Sequence, residues 1–178
     1  MLIRRETSDD VPAIRAVTAA AFATAPHSTP PVEPDGAPGE ATLVGWLRAD
    51  PGWVPELSMV AEVEGQVVGH VVCTRGTVDG SSVLGLGPLS VDPAHQGSGV
   101  GSALMHAVLG AADALGEPLV ALLGDPGYYG RFGFRPASEV GVTAPEPAWG
   151  DLFQVRTLAA YDPALTGTFT YAAPFSRF

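Results

Sequence analysis

The sequence predicts a mixed α/β (α+β) domain spanning residues 1–178, and three observations point there. Apolar residues recur at helical spacing in two stretches, Val11–Phe22 and Gly99–Leu115. From Leu57 onward β-rich runs appear, and the whole chain reads in the order β-α-α-β-β-β-α-β-α-β. The composition, 46% apolar and 16% charged, is that of a compact globule, and 178 residues bury a sizeable core without staples.

Taken in order, Leu2–Glu6 reads as a short strand. A helix follows from Thr7 or Ser8, with Asp9 and Asp10 in the first turn, where the dipole favours acidic side chains. Val11, Ile14, Val17, Ala21 and Phe22 form its apolar face. The stretch Pro26–Gly39, with prolines at 26, 30, 31, 34 and 38, is no regular element; it is either a linker or an ordered loop that shapes a site. Ala41–Ala49 reads as a second helix with Leu43, Val44 and Leu47 apolar.

Met59–Val63 and Val67–Thr74 form a predicted hairpin around Glu64-Gly65-Gln66. Ser82–Val91 is a third β run, interrupted by Gly85, Gly87 and Pro88. Proline removes a ladder donor, so a bulge or a splayed edge is expected there. A helix then covers Gly99–Leu115 with Gly116 as its cap, and the wholly apolar Leu119–Leu123 reads as a buried parallel strand. One helical turn at Tyr128–Phe132 leads to a strand near Phe134, and Leu152–Leu158 and Thr168–Tyr171 are strand-like.

Charge and cysteine content exclude several classes. A formal net charge of −10 disfavours nucleic acid, whose phosphates this surface would repel, and mildly favours cationic partners such as amines. The single Cys73 lies in an apolar run and reads as a core residue rather than a nucleophile. No spaced His/Cys cluster suggests a metal site. The amino terminus enters the charged run Arg4-Arg5-Glu6 directly and no apolar stretch reaches membrane-spanning length, so a cytoplasmic location away from membranes is expected. Heavy use of Ala, Gly and Pro fits a GC-rich bacterial genome.

The segment that carries chemistry is Leu89-Ser90-Val91-Asp92-Pro93-Ala94-His95-Gln96-Gly97-Ser98-Gly99-Val100-Gly101-Ser102. A strand passes through a glycine-rich turn into an amphipathic helix, whose first N–H groups lack internal partners and accept a phosphate or pyrophosphate. Gly97, Gly99 and Gly101 would let such a ligand approach closely. A P-loop would need a lysine here, and the dinucleotide fingerprint counted from Gly97 would need glycine at Ser102.

The pattern satisfied is Gln/Arg-x-x-Gly-x-Gly/Ala, on Gln96, Gly99 and Gly101. In this the sequence resembles the GNAT superfamily of N-acetyltransferases. Tyr129 stands four residues before the pair Gly133-Phe134, a second relation common in that superfamily. The longer run Tyr128-Tyr129-Gly130-Arg131-Phe132-Gly133-Phe134 resembles its YhbS-type branch, as does the ending with Gly167, Tyr171 and Phe175.

The resemblance implies a mostly antiparallel central sheet flanked by helices, with the fourth strand splayed from the fifth and acetyl-CoA as co-substrate. Leu89, Ser90 and Val91 would pair with the pantetheine arm, a backbone N–H near Leu89 would stabilise the tetrahedral intermediate, and Gln96, Gly97, Ser98, Gly99, Val100, Gly101 and Ser102 would cradle the pyrophosphate. Tyr129 would donate to the leaving thiolate. With ordinary pKa values of about 10 and about 8.5, full proton transfer is uphill by roughly 2 kcal/mol, so hydrogen bonding is its main expected contribution.

The resemblance further implies a small-molecule or peptide amine as acceptor, attacking directly in a ternary complex. Deprotonating a lysine-like amine at neutral pH is uphill by roughly 4–5 kcal/mol, so a base or a water chain to one is expected. Glu62, His70, Asp125, Glu33 and His27 are the candidates. The acceptor site would be built from Pro26–Asp50 and residues 139–151, with Trp46, Trp53 and Trp149 as pocket or core residues. Alternatives are a catalytically silent acetyl-CoA-binding module, a nucleotide-binding domain, or transfer of a longer acyl group or to a hydroxyl. Oligomeric state stays open, a homodimer being one option.

Overall fold

The computed structural model describes residues 1–178. In chain order its elements are β1 (Leu2–Arg5), α1 (Val11–Phe22), α2 (Gly39–Arg48), β2 (Trp53–Val63), β3 (Gln66–Val78) and β4 (Ser81–Val91). There follow α3 (Val100–Ala114), β5 (Leu119–Leu123), α4 (Pro126–Tyr129), β6 (Arg135–Pro136), β7 (Val142–Thr143), β8 (Phe153–Thr157) and β9 (Gly167–Thr170), with short 3-10 turns between. No helix is long and apolar enough to cross a membrane.

The strands join in the order β1-β2-β3-β4-β5-β8-β6, and every neighbouring pair on this path is antiparallel except β4–β5. This is the mixed fold that the segment order implied, with the parallel strand read from the apolar run Leu119–Leu123 and the mostly antiparallel sheet the resemblance implied. α3 supplies the crossover that a parallel pair requires. Strand β9 adds to the far end of β3 and pairs in parallel with β7.

Side-chain alternation along β3 sorts the two layers. Val71 and Cys73 pack in the core under α3 with Leu104, Met105 and Val108. Val72, between them, faces α2 with Leu43 and Leu47. Ile14, Val44 and Val60 close the α1–α2 side. Cys73 is fully buried and its thiol is pushed up by burial, with Glu117 nearby adding to the shift, which suits the core role expected of it.

β2 begins at Trp53 and β3 runs to Val78, both longer than the runs Met59–Val63 and Val67–Thr74 read from the sequence. Ser8–Asp10 is a 3-10 turn, and α1 opens only at Val11, because the Asp10 carboxylate accepts from the Thr7 N–H at 2.7 Å and from Arg4 at 2.7 Å. Pro26–Gly39 is an ordered loop. Glu40 accepts from the Thr29 N–H at 2.7 Å, the Gly39 N–H donates to the Thr29 carbonyl at 2.9 Å, and Arg15 holds Asp35 at 2.6 Å.

Between the sheet and α2 lies a buried polar cluster. Arg48 on α2 donates to both oxygens of Glu6, at 2.7 and 3.0 Å, and the Ser58 hydroxyl donates to Glu6 as well. His70 is wholly buried, with Nε2 2.9 Å from Ser58 Oγ and its Nδ1 without a partner. Burial pushes the Glu6 carboxyl up, but hydrogen bonds from His70, Arg48 and Ser58 outweigh it and hold the group at about 2. Burial pushes His70 below its ordinary 6.5, against the pull of Glu6, so the ring is neutral at pH 7.

Both shifts make acid destabilising. The unfolded chain takes up a proton on His70 below pH 6.5 and on Glu6 below 4.5, while the folded chain resists both. Melting temperatures should therefore hold above pH 6.5, fall as the pH drops below it, and fall further between 4.5 and 2. His70→Gln should flatten the first decline and shrink the second, since Arg48 and Ser58 still hold Glu6, as thermal melts by circular dichroism across that range would read; an unchanged first decline assigns it to another group.

Candidate active site

The strand-to-helix turn is built by its own side chains. Asp92 accepts from the Ala94 N–H at 2.8 Å and opens a 3-10 turn, Pro93–His95. Gln96 donates from its side-chain amide to the Val91 carbonyl at 3.1 Å, and Ser98 donates to the His95 carbonyl at 2.5 Å. Gln96 thus shapes the turn with its side chain. His95 is half-buried beside Asp92.

Gly97 and Gly99 have φ of +71° and +91°, a region that L side chains enter only with strain, and Gly99 is the cap of α3. The first intrahelical bond runs from the Ala103 N–H to the Gly99 carbonyl, leaving the N–H groups of Val100, Gly101 and Ser102 without helical partners. No protein atom lies within 4 Å of a β-carbon built at Gly97 or Gly99, so the turn borders open space. Gly101 is different, since its β-carbon would sit 2.7 Å from the Tyr128 hydroxyl. There it is the protein's own Tyr128, rather than open space for a ligand, that stands where a side chain would go.

In the half of the same strand that leads into this turn, β4 leaves its neighbour. β4 and β5 pair only at Leu84–Val120 and Gly85–Ala121. Beyond them β4 carries an extra residue against β3, between the pairs Cys73–Leu86 and Val71–Leu89, where Gly87-Pro88 falls. β5 meanwhile stays paired with β8 along its length. The result is the splay that Pro88 led us to expect.

A cleft of about 1070 Å³ opens at the split, bordered by Leu86–Leu89 on one strand and Leu122–Leu123 on the other, with Tyr129 on its wall. Leu89 lines it. Ser90 turns its hydroxyl to Thr18 at 3.1 Å and is buried, so only its backbone is available, and the Val91 side chain packs in the core near Gly101.

Asp125 caps α4 by accepting from the Gly127 N–H at 2.9 Å, and the single turn that follows presents Tyr129 to the cleft. The Tyr129 ring meets Tyr128 edge-on at 4.9 Å and Phe134 at 5.9 Å. A β-carbon at Gly124 would overlap it, so the ring rests directly on the Gly124 backbone. Burial, with Tyr128 and Asp125 adding to it, pushes the Tyr129 hydroxyl up to about 12, which keeps it protonated throughout the working pH range.

Of the five groups considered as a base, only His27 lines the cleft. Glu62 is paired with Arg4 at 2.9 Å, His70 is sealed beneath α2, Asp125 is a helix cap, and Glu33 lies exposed on the loop outside the cleft. Trp149 lines the cleft. Trp53 lies under the Arg48 guanidinium and Trp46 packs on Phe178 at 5.5 Å. No group of three or more His, Cys, Asp or Glu side chains is placed to hold a metal ion.

The sequence reading missed the cleft's third wall, Thr168–Ala173, Phe175, Ser176 and Phe178. Tyr171 stacks on Phe169 at 4.7 Å and Phe175 at 4.6 Å, its ring sits on Gly85, and its hydroxyl meets the Leu123 backbone N–H in the gap between the strands. The signal was the density of aromatics in Phe169–Phe178, which strand patterning alone does not place.

The fold and this arrangement define an acyltransferase architecture. Residues 55–136 match the acetyltransferase (GNAT) domain family, and a full-length relative is 35% identical; the chain belongs to the GNAT acetyltransferases. That relative is the uncharacterized N-acetyltransferase YhbS of Escherichia coli K12, aligned over 100% of both chains. The crystal structure of Escherichia coli YhbS in complex with CoA superposes with a TM-score of 0.83 at 34% identity, covering 99% of this chain and 92% of that one. A GNAT family acetyltransferase from Brucella melitensis in complex with acetyl-CoA superposes with a TM-score of 0.76 at 34% identity, covering 98% and 97%.

The glycine assignments predict opposite signs at positions that look equally roomy. Gly99→Ala should lower the unfolding free energy by about 1 kcal/mol through backbone strain alone. Gly110→Ala, inside α3 with nothing within 4 Å, should raise it by up to about 1 kcal/mol. Urea unfolding of the two variants reads both; equal effects would show that conformation is not what sets glycine at 99.

Proposed function

We propose that the chain transfers an acetyl group from acetyl-CoA directly to a primary amine in a ternary complex. The observation that carries this reading is the parting of β4 from β5 beside Tyr129, on the strand half that continues into the glycine turn. Both relatives above hold CoA or acetyl-CoA, which supports the same ligand here.

The residues fit that ligand. The turn from Gln96 to Ser102 offers unpartnered N–H groups beside open space, as a pyrophosphate needs. Leu89, with the backbone of Ser90 and Val91, lies along the split edge, where an extended arm would replace the missing strand. When bound, acetyl-CoA supplies an acetyl group already activated as a thioester.

The chain's own groups then have three tasks. A backbone N–H near Leu89 stabilises the charge that develops on the carbonyl oxygen. Tyr129 donates a hydrogen bond to the departing sulfur. With its hydroxyl at about 12 against a thiol near 8.5, complete proton transfer is uphill by ~5 kcal/mol, so donation rather than full transfer is its contribution. His27, on the cleft wall, takes the amine proton directly or through water. Direct attack suits the absence of a cleft thiol, since the one cysteine is fully buried and its thiol is pushed up.

Isothermal titration with acetyl-CoA, followed by free-thiol release across an amine panel, tests this reading. Tyr129→Phe should bind acetyl-CoA as the parent does and lose on the order of 100-fold in kcat. Gly124→Ala, which displaces the Tyr129 ring, should reproduce that loss. Absence of acetyl-CoA binding by the parent overturns the assignment; full turnover by Tyr129→Phe overturns the role given to the hydroxyl.

A further inference from the structure

The chain contains no lysine, and all nine of its basic Lys/Arg positions are arginines. None of them lines the cleft. Arg4, Arg15, Arg48 and Arg75 are held by carboxylates, Arg131 lies over Tyr128, Arg156 binds the Phe132 carbonyl and Arg177 lies over Trp46. The charged side chains that do line the cleft are two carboxylates, Glu40 and Glu146, and His27 is the one other ionisable group besides the tyrosines.

Glu40 is unusual. It is 8% exposed at the first turn of α2, and its carboxylate accepts from the Thr29 N–H at 2.7 Å and the Ser28 hydroxyl at 3.2 Å. It takes part in none of the protein's eight ion pairs. The helix dipole favours an acidic group there, but a dipole end carries only about half a charge, and burial of an ion calls for a full partner. Both oxygens retain lone pairs beyond the two bonds they accept.

The rest of the lining is mostly apolar, with Phe22, Trp149, Phe169, Tyr171, Phe175 and Phe178 facing the same space and the hydroxyls of Thr29, Thr168, Thr170 and Ser176 among them. Tyr171 ties several of these together, at 6.4 Å from Trp149 and 4.6 Å from Phe175. A carboxylate or phosphate on the acceptor would enter this cleft with no cation to meet it and with like charge from Glu40 and Glu146. A sugar would leave most of its hydroxyls unpaired against the aromatic walls.

We infer that the acceptor is an amine on an apolar, aryl-alkyl body bearing no carboxylate or phosphate, its ammonium received by Glu40 and its body held between the aromatic walls. This rests on the acetyltransferase reading above and narrows its acceptor. Glu40 positions the amine as the cation, and deprotonation follows as the nitrogen moves toward the thioester.

Matched pairs that differ only in the carboxylate give the test: phenethylamine against phenylalanine and tryptamine against tryptophan, with glucosamine and spermidine as polar amines. Free-thiol release should give kcat/KM at least about 100-fold higher for each amine than for its amino acid, and higher than for either polar amine. Glu40→Gln should raise KM for tryptamine by about tenfold, with the Kd for acetyl-CoA by calorimetry and the melting temperature unchanged. Asp at this position, one methylene shorter but still charged, should recover part of the loss.

Equal use of tryptophan and tryptamine, or preference for glucosamine or spermidine, overturns the inference, as does a Glu40→Gln variant with unaltered KM. Acetyl-CoA binding without turnover of any aryl-alkyl amine also overturns it while leaving the coenzyme site standing. Failure to bind acetyl-CoA at all overturns the acetyltransferase reading itself.

Discussion

Everything in this molecule depends on keeping two adjacent parallel strands from closing on each other. Paired N–H and C=O groups are the lowest-energy arrangement for strand edges, and buried unpaired ones are costly. β4 and β5 start together at Leu84–Val120 and Gly85–Ala121 and then diverge. Three features hold them apart. The extra residue at Gly87-Pro88 bends β4, β8 keeps β5 straight from its other side, and Tyr171 occupies the fork with its ring on Gly85 and its hydroxyl at the Leu123 N–H. Gly85 is glycine because the tyrosine ring stands where its β-carbon would be, 2.7 Å from the nearest ring carbon.

The carboxy-terminal half of β4 thereby serves both parts of the site. Its unpaired edge from Leu86 borders the cleft, and beyond Val91 it passes into the turn that frees the amino-terminal N–H groups of α3. Tyr128 and Tyr129 link the two. The Tyr128 hydroxyl sits against Gly101 at the start of α3, and the Tyr129 ring, in edge contact with it at 4.9 Å, faces the split. Adjacent side chains on one helical turn thus hold the separation between the phosphate-binding end and the reacting end. The position of that turn is fixed by the Asp125 cap and by Gly124, whose carbonyl accepts from Gln154 at 2.9 Å.

Local signals were legible in the sequence, and non-local ones were not. The helix over Val100–Ala114, the strand Leu119–Leu123 and the hairpin turn at Glu64-Gly65 follow from period and turn chemistry, although the hairpin strands run further than read, from Trp53 and on to Val78. Pro88 marked the strand break, and the spacing to Gly133-Phe134 marked Tyr129. What period cannot convey is which distant segments meet. His70 reads as a candidate base only until the sheet places it under α2, and the group that stands where a side chain at 101 would go is Tyr128, 27 positions away in the chain. The aromatic wall from Phe169 to Phe178 stayed unseen because its role depends on the β9–β3 pairing, which joins residues more than ninety positions apart.

The two halves of the site differ in how they are encoded along the chain. The strand-to-helix turn proposed for the donor is sequence-local, twelve consecutive residues from Val91 to Ser102, shaped by hydrogen bonds within five positions, with Tyr128 packed against Gly101 from outside it. The acceptor cleft is assembled from four separated stretches, around residues 22–43, 86–89, 122–149 and 168–178. Such a cavity has high contact order and exists only when the whole sheet has formed, so its appearance in folding is late and cooperative. Partial opening of the native state empties it first, while the local turn persists. The same division lets substitutions around residues 22–43 and 168–178 reshape the cleft while the strand-to-helix turn stays as it is, whereas Tyr128 ties the third segment to Gly101.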